Sequence, residues 1–323
     1  MKRQLLGVAA ILLSISTYAQ DNPLWMRYCA ISPDGTTIAF TYKGDIYTVP
    51  STGGRASQIT TNPAHDTKPI WSPDGKKIAF ASDRMGSMDI FEVNKEGGIP
   101  KRLTTHSGNE TPVAYKDAGH ILFLANIMPT AEDAQFPSGQ FQQVYEVNTE
   151  GGRPALFSSM PMEDISINHT GNTLLYHDKK GYEDPWRKHH TSSITRDIWL
   201  CSLNGNRTFR KQTTFNGEDR TPVWASDDKS FYYLSEEKGS FNIFKRDIDG
   251  NTSKQITNHT KHPVRFLSAA SNGTLCYGYD GEIYTVKEGA IPQKVQISIV
   301  TDKNDKDLIR QIKRSGATEI SLS

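Results

Sequence analysis

The sequence contains one structural unit six times, and this repeat limits the folds that the chain can adopt. The clearest copy runs from Lys68 to Thr104 and holds four short apolar segments separated by turn signals. The Pro-Asp-Gly tripeptide at 73–75 suits a tight turn, since proline presets φ and glycine accepts positive φ. The β-branched and aromatic residues around Ile78 and Phe91 fit a pleated sheet. The unit therefore predicts a four-stranded antiparallel sheet.

The landmarks of this unit recur at regular intervals. Successive copies of the second-strand core position are 40, 43, 53, 57 and 44 residues apart, at Ile38, Ile78, Ile121, Leu174, Phe231 and Leu275. An apolar pair marks each third strand, at Ile46-Tyr47, Ile90-Phe91, Val144-Tyr145, Ile198-Trp199, Ile243-Phe244 and Ile283-Tyr284. A repeat of about 40–50 residues with four strands is typical of a β-propeller. We therefore predict an all-β, six-bladed β-propeller of four-stranded antiparallel blades.

The repeats occupy one predicted domain, residues 20–300, because each blade can bury its faces only against its neighbours. The predicted blades lie near residues 24–61, 62–105, 106–158, 159–214, 215–258 and 259–300. The first blade starts with its own inner strand, and the sixth ends with its own outer strand. We therefore expect the ring to close without a strand clasp. Residues 301–323 read as a short charged linker and the first strand of a following repeat, so we expect a longer parent protein.

Prolines indicate which strand of each blade lies innermost. Pro69, Pro112 and Pro222 fall inside predicted first strands, where the missing N–H group is tolerated only at a sheet edge. The innermost strand of a propeller is such an edge, because it faces the central channel. Aligned on these prolines, alternate polar side chains give three predicted channel-lining residues, Thr67, Glu110 and Arg220.

The amino terminus has the pattern of a cleavable export signal. Lys2 and Arg3 precede a short apolar run, and small residues lead to a predicted cut after Ala19. We therefore expect residues 1–19 to be removed and the protein to be periplasmic or secreted. Without the two leading cations, 35 basic residues face 36 acidic ones, which argues against a nucleic-acid or anionic-membrane partner.

The three cysteines do not form a patterned disulfide framework. Cys29, Cys201 and Cys276 all fall in predicted strands, which is typical of buried free thiols. Cys29 belongs to the first blade and Cys276 to the sixth, so ring closure would make them neighbours. A disulfide across that seam stays open as the alternative.

No catalytic motif is present in the sequence. It lacks G-x-S-x-G, H-E-x-x-H, paired C-x-x-C and a phosphate-binding glycine loop, so we predict no catalytic residues, no metal and no cofactor. Two insertions, at 125–140 and 177–196, lengthen adjacent blades between their second and third strands. The second is basic, and arginine suits a carboxylate partner. Its predicted substrate-binding residues are Arg187, Lys188, His189, His190 and Arg196; a solvated loop, or one packed on another domain, stays open as the alternative.

The repeats resemble those of known propeller proteins. The segments AISPDGTTIAF, IWSPDGKKIAF and VWASDDKSFYY are each followed by DIY, DIF or NIF. They are similar to the repeats of the Tol-system periplasmic propeller protein and of tricorn-type proteases. The loop RKHHTSSITRDIW favours the tricorn group.

The tricorn resemblance implies a secreted serine peptidase whose catalytic module and PDZ-like domain lie beyond residue 323. In that family the first propeller is not catalytic; it filters or orients peptides, and basic side chains help to hold peptide carboxyl ends. The 125–140 insertion contains no Lys or Arg, so the basic cluster of the 177–196 insertion is the candidate for that role. The expected partners are peptides and the domains of the same protein, and a homo-oligomer stays open. The alternative is a stand-alone periplasmic interaction scaffold of the Tol type.

Overall fold

A computed structural model describes residues 23–127, 141–181 and 192–300. It contains six four-stranded antiparallel sheets, each built from strands in chain order, and one two-stranded sheet. The first blade consists of β1 (Arg27–Ile31), β2 (Thr37–Tyr42), β3 (Asp45–Pro50) and β5 (Ser57–Gln58), with β4 (Gly54–Arg55) outside the sheet. The second consists of β6 (Asp66–Trp71), β7 (Lys77–Ser82), β8 (Asp89–Asn94) and β9 (Lys101–Arg102). The third consists of β10 (Thr111–Asp117), β11 (His120–Ala125), β12 (Gln143–Asn148) and β13 (Ala155–Ser158).

The second half of the chain repeats this pattern. The fourth blade consists of β14 (Met162–Ile167), β15 (Thr173–Asp178), β16 (Ile198–Ser202) and β17 (Thr208–Lys211). The fifth consists of β18 (Asp219–Trp224), β19 (Ser230–Ser235), β20 (Asn242–Asp247) and β21 (Ser253–Gln255). The sixth consists of β22 (Arg265–Ala269), β23 (Leu275–Tyr279), β24 (Glu282–Val286) and β25 (Gln293–Lys294), and β26 (Ile297–Ser298) follows it. No helix in the described part of the chain is long and apolar enough to cross a membrane.

The core lies between the blades. Each second strand carries, at the equivalent position, an aromatic ring that is no more than 2% exposed, at Phe40, Phe80, Phe123, Tyr176, Tyr233 and Tyr277. In the second blade the Phe80 ring stacks on Phe91 of the third strand, with centroids 6.1 Å apart. Burial of one such side chain contributes about 1.5–3 kcal/mol. The repeated aromatic positions therefore provide much of the adhesion between neighbouring sheets.

The six sheets form a closed ring around their first strands. Each of β1, β6, β10, β14, β18 and β22 contacts the next, and β1 contacts β22. The predicted six-bladed propeller is therefore confirmed. First strands lie innermost, as the prolines indicated.

The ring closes with one feature that the sequence did not predict. Both terminal blades draw all four strands from their own repeats, so no blade is completed across the seam. However, β26 continues past the sixth blade and pairs in parallel with β4, Ile297 opposite Gly54. The ring therefore closes without a strand clasp, as predicted, but with a two-residue backbone bridge in addition to side-chain packing. We call the pairing of β26 with β4 the seam bridge.

Candidate functional site: the central channel

The six innermost strands enclose a central cavity of about 620 Å³. This volume lies within the range of about 300–1,000 Å³ that is typical of ligand pockets. The charged side chains in the wall comprise five cations and two carboxylates, namely Lys68, Lys179, Arg196, Arg220, Arg265, Glu163 and Asp164. The cavity wall is therefore predominantly cationic, although the whole chain is nearly neutral.

Side chains enter this cavity because the innermost strands are bulged. One residue in each of five strands adopts positive φ, between 47° and 57°, namely Tyr28, Lys68, Asp164, Thr221 and Phe266. The register with the second strand is broken around each of these residues. A bulge of this kind redirects a side chain that would otherwise alternate regularly. All five residues belong to the cavity wall, and we call them the bulge ring.

The pattern of bulges explains why Glu110 does not lie at the predicted channel-lining position. Tyr115 pairs with Ile121 in the same way as Trp71 pairs with Ile78. Counting back from these residues makes Glu110 equivalent to Asp66, and Pro112 equivalent to Lys68. Proline cannot adopt positive φ, so the third blade is bulged differently, and alignment on prolines was wrong by one residue.

Accordingly, Glu110 does not face the channel. Its carboxylate is fully buried and accepts a hydrogen bond from the Thr104 hydroxyl. Burial raises the pKa of Glu110 to about 7. Thr67 is half-buried and does not contribute to the cavity wall, whereas Arg220 does.

Arg196 and Arg220 converge on one buried carboxylate. The Nη1 atom of Arg196 lies 3.0 Å from Oε1 of Glu218, and Nη1 of Arg220 lies 3.4 Å from the same oxygen. Arg220 also lies over the Phe241 ring, 4.0 Å from its centroid. Burial lowers the pKa of Arg220 to about 10, although the charge of Glu218 opposes this shift. Both guanidinium groups are therefore held in fixed positions beside the cavity.

Glu163 is the centre of a second polar network. The Thr221 amide donates to Nδ1 of the buried His177 at 3.2 Å, so the imidazole carries its proton on Nε2 and donates to Glu163 at 3.2 Å. Lys179 donates to the same carboxylate at 2.8 Å. Burial alone would raise the pKa of Glu163, but these two partners hold it well below its usual range. The Glu163 carboxylate therefore stays negatively charged in the wall of the fourth blade, and His177 and Lys179 already donate hydrogen bonds to it.

Lys68 is a wall cation on which the negative charges of Asp164 and Glu163 act only at longer range. Its ammonium lies 5.8 Å from the centroid of the Tyr28 ring, and no carboxylate of the described residues lies within 4 Å of it. Burial lowers the pKa of Lys68, since a buried ammonium loses hydration. The Tyr28 ring in turn packs against the Phe266 ring, with their centroids 4.8 Å apart. A ligand with an anionic group next to an apolar group would complement this part of the wall.

Comparison with known proteins identifies the family. The model of the tricorn protease N-terminal beta propeller domain matches residues 23–290. The chain belongs to this family. The tricorn protease homolog 1 of Streptomyces coelicolor is 25% identical over 281 residues, which cover 86% of this chain and 25% of that protein. The chain thus spans about a quarter of the length of this relative.

Solved structures agree with the fold of this tricorn-type propeller. The crystal structure of the tricorn protease superposes with a TM-score of 0.71 at 21% identity, covering 88% of this chain and 27% of that one. TolB from Acinetobacter baumannii superposes with a TM-score of 0.59 at 15% identity, covering 81% and 61% of the two chains. At these identities the likeness concerns the fold alone.

The predicted substrate-binding residues of the tricorn-type propeller are only partly described. Arg187, Lys188, His189 and His190 lie outside the described residues. Arg196 is described, and it lies in the cavity wall. The same wall contains charged residues that the sequence analysis did not select, namely Lys68, Glu163, Asp164, Lys179 and Arg265. Alignment on the buried second-strand position, rather than on proline, would have shown that Lys68 and Asp164 are equivalent, although not that they face the cavity.

Proposed function

We propose that this tricorn-type propeller is a non-catalytic domain of a larger peptidase and that its central channel admits and orients peptides. The family match and the tricorn protease homolog support the peptidase context. The channel supports the role in handling peptides, because all six innermost strands contribute to one cavity.

The observation that carries the proposal is the position of Lys68. A peptide entering the cavity brings a carboxylate at its carboxyl end, and Lys68 offers a charge without a carboxylate of its own. A charge-assisted hydrogen bond in a partly desolvated site contributes about 1.5–3 kcal/mol. This corresponds to a change in affinity of roughly tenfold to a hundredfold. The neighbouring Tyr28 and Phe266 rings would accommodate the apolar side chain of a terminal residue.

The experiment is a titration of labelled short peptides into the full chain, with fluorescence anisotropy as the readout. One peptide ends in leucine with a free carboxylate, and its partner is the same peptide with an amidated end. We expect the amide to bind roughly tenfold or more weakly. The variant Lys68→Met should remove this preference, because it keeps the length of the side chain and removes its charge.

The matched control is Lys261→Met. Lys261 is exposed, follows the fifth blade and does not contribute to the cavity wall. This variant should bind both peptides like the unsubstituted chain. Equal binding of the acid and the amide, unaffected by Lys68→Met, would contradict the proposal.

A further inference from the structure

Two cysteines from opposite ends of the chain meet at the seam of the ring. Cys29 lies in β1 and Cys276 in β23, 247 residues apart in sequence. Both belong to the same apolar cluster between the first and sixth blades, and they are 4% and 0% exposed. The Cys29 thiol lies 3.5 Å from the carbonyl oxygen of Phe266 in the sixth blade. Cys201, the third cysteine, is buried in a different cluster in the fourth blade and has no cysteine beside it.

Ser268 connects the backbone segments that carry the two cysteines. Ser268 of β22 accepts a hydrogen bond from the Ile31 amide at 3.0 Å, and its hydroxyl lies 3.5 Å from the carbonyl oxygens of both Cys29 and Cys276. Ser268 pairs directly with Cys276 in the sheet of the sixth blade. One serine therefore sets the spacing between the two cysteine-bearing strands. This arrangement keeps the two cysteine-bearing strands together within one apolar cluster.

We propose that Cys29 and Cys276 form a disulfide that closes the propeller ring covalently under oxidising conditions. Such a disulfide would close the ring whether or not the channel binds peptides. The export signal predicted from the sequence would take the protein to a compartment where such bonds persist.

The reaction is a thiol–disulfide exchange with a small disulfide such as oxidised glutathione. The Cys29 thiolate attacks one sulfur of glutathione disulfide, and one glutathione leaves as its thiolate. The Cys276 thiolate then attacks the Cys29 sulfur and displaces the second glutathione. Both cysteine protons end on the two glutathione thiols, so the cysteines lose two electrons and glutathione disulfide gains them.

The burial of the pair determines the order and the rate of these steps. Cys29 belongs to the cavity wall, so it is the sulfur that an oxidant can reach first. Burial raises the pKa of the Cys276 thiol well above its ordinary value, which disfavours the thiolate in the closed ring. Formation should therefore be slow in the folded protein and faster when the seam opens or during folding.

The bond would add a covalent link to a seam that is otherwise non-covalent. The seam is held by side-chain packing, by the seam bridge and by hydrogen bonds such as that from the Ser271 amide to the Pro33 carbonyl at 2.9 Å. A cross-link that closes a long loop restricts the unfolded chain strongly, and stabilisation on this account grows with loop length. Of the three described cysteines, only this pair could link the first blade to the last.

The test uses the full chain, incubated with a mixture of oxidised and reduced glutathione and then alkylated after unfolding. We expect a mass loss of about 2 Da, from the two lost hydrogens, and one cross-linked proteolytic fragment that joins Cys29 to Cys276. Cys201 should be alkylated in every sample. The melting temperature should be about 5–10 °C higher than in dithiothreitol.

Serine variants provide the controls. Cys201→Ser should keep both the cross-link and the reductant-sensitive melting temperature, whereas Cys29→Ser and Cys276→Ser should each lose both. If the latter two fold poorly, alkylation of the unsubstituted chain still decides the question. Full alkylation of Cys29 and Cys276 after oxidation would overturn the proposal.

Discussion

The backbone amide of Gly54 donates a 2.8 Å hydrogen bond to the carbonyl of Gln296, which joins the first blade to the segment after the sixth. A second bond, 2.9 Å from the Ala56 amide to the Ser298 carbonyl, completes the seam bridge. Together these bonds connect residues that are more than 240 positions apart. A ring whose blades are each complete thus still uses backbone hydrogen bonds to close.

We expect Gly53→Ala to weaken the seam bridge. Gly53 has φ of +91°, and a Cβ atom there would lie 2.6 Å from the Gln296 carbonyl oxygen. The backbone of Gln296 would have to move, with a loss of about 1–2 kcal/mol beyond the cost of positive φ. Urea unfolding followed by tryptophan fluorescence measures this loss. Gly97→Ala is the control, because Gly97 has φ of +92° but its nearest neighbour would lie at 3.5 Å. Equal losses in both variants would show that the bridge contributes nothing.

Glu110→Gln should stabilise the protein at alkaline pH. Burial raises the folded-state pKa of Glu110 to about 7, above the unfolded value of about 4.3. The folded state therefore holds the proton more tightly, and its stability falls as pH rises from about 4 to about 7. Glutamine keeps an acceptor for Thr104 without a charge. We expect little difference at pH 4.5 and a gain of about 1–3 kcal/mol at pH 8, measured by urea unfolding.

The control for this prediction is Asp66→Asn at the equivalent position of the second blade. Both Asp66 oxygens lie 2.9 Å from Arg84, so this carboxylate is paired as an anion. Its neutralisation should destabilise the protein at pH 8, by about 3–5 kcal/mol for a broken buried pair. A Glu110→Gln variant that loses stability at pH 8 would contradict the buried, unpaired state of Glu110.

Arg196→Met should destabilise the protein through Glu218. Removal of the guanidinium takes away one partner, 3.0 Å distant, of a carboxylate that is fully buried. The expected loss is about 3 kcal/mol. Addition of Glu218→Gln to this variant should cost less than the sum of the two single changes. A double-mutant cycle in urea measures the coupling, and purely additive losses would contradict it.

The chain should show no peptidase activity of its own. Its sequence contains no G-x-S-x-G or H-E-x-x-H motif. Fluorogenic peptides incubated with the purified chain should release signal only at the rate of buffer. Turnover that disappears on substitution of a residue of this chain would show that the propeller is itself an enzyme.

The blade pattern was predictable because it depends on spacing alone. Ile78, Phe80 and Phe91 repeat their chemistry at fixed offsets, and a blade that cannot bury its faces alone must stack. The bulge ring was not predictable in this way. Lys68 and Thr221 reach the cavity because their φ is positive, and neither residue type indicates such a backbone conformation. Pro112 occupies the position equivalent to Lys68, where proline cannot adopt the positive φ of the bulge. Alignment on this proline therefore displaced Glu110 by one residue.

The atoms that join the two ends of the chain were the second feature that the sequence did not predict. The seam bridge joins Gly54 to Gln296 through backbone atoms, which carry no sequence signal. The placement of Cys29 and Cys276 in one apolar cluster, in contrast, followed from the predicted order of blades, because the first and last copies of a closed ring must be neighbours. Sequence repeats thus predict which blades meet, and the structure shows through which atoms.

The most direct test of the channel as a peptide path is photo-crosslinking. A short peptide with a photoreactive side chain and a free carboxyl end is bound to the chain, irradiated and mapped by mass spectrometry. We expect adducts on the fragments that contain Tyr28, Lys68 and Thr221, and competition by excess unlabelled peptide. Adducts confined to outer strands such as β5 and β9, or adducts that excess peptide does not reduce, would contradict the account.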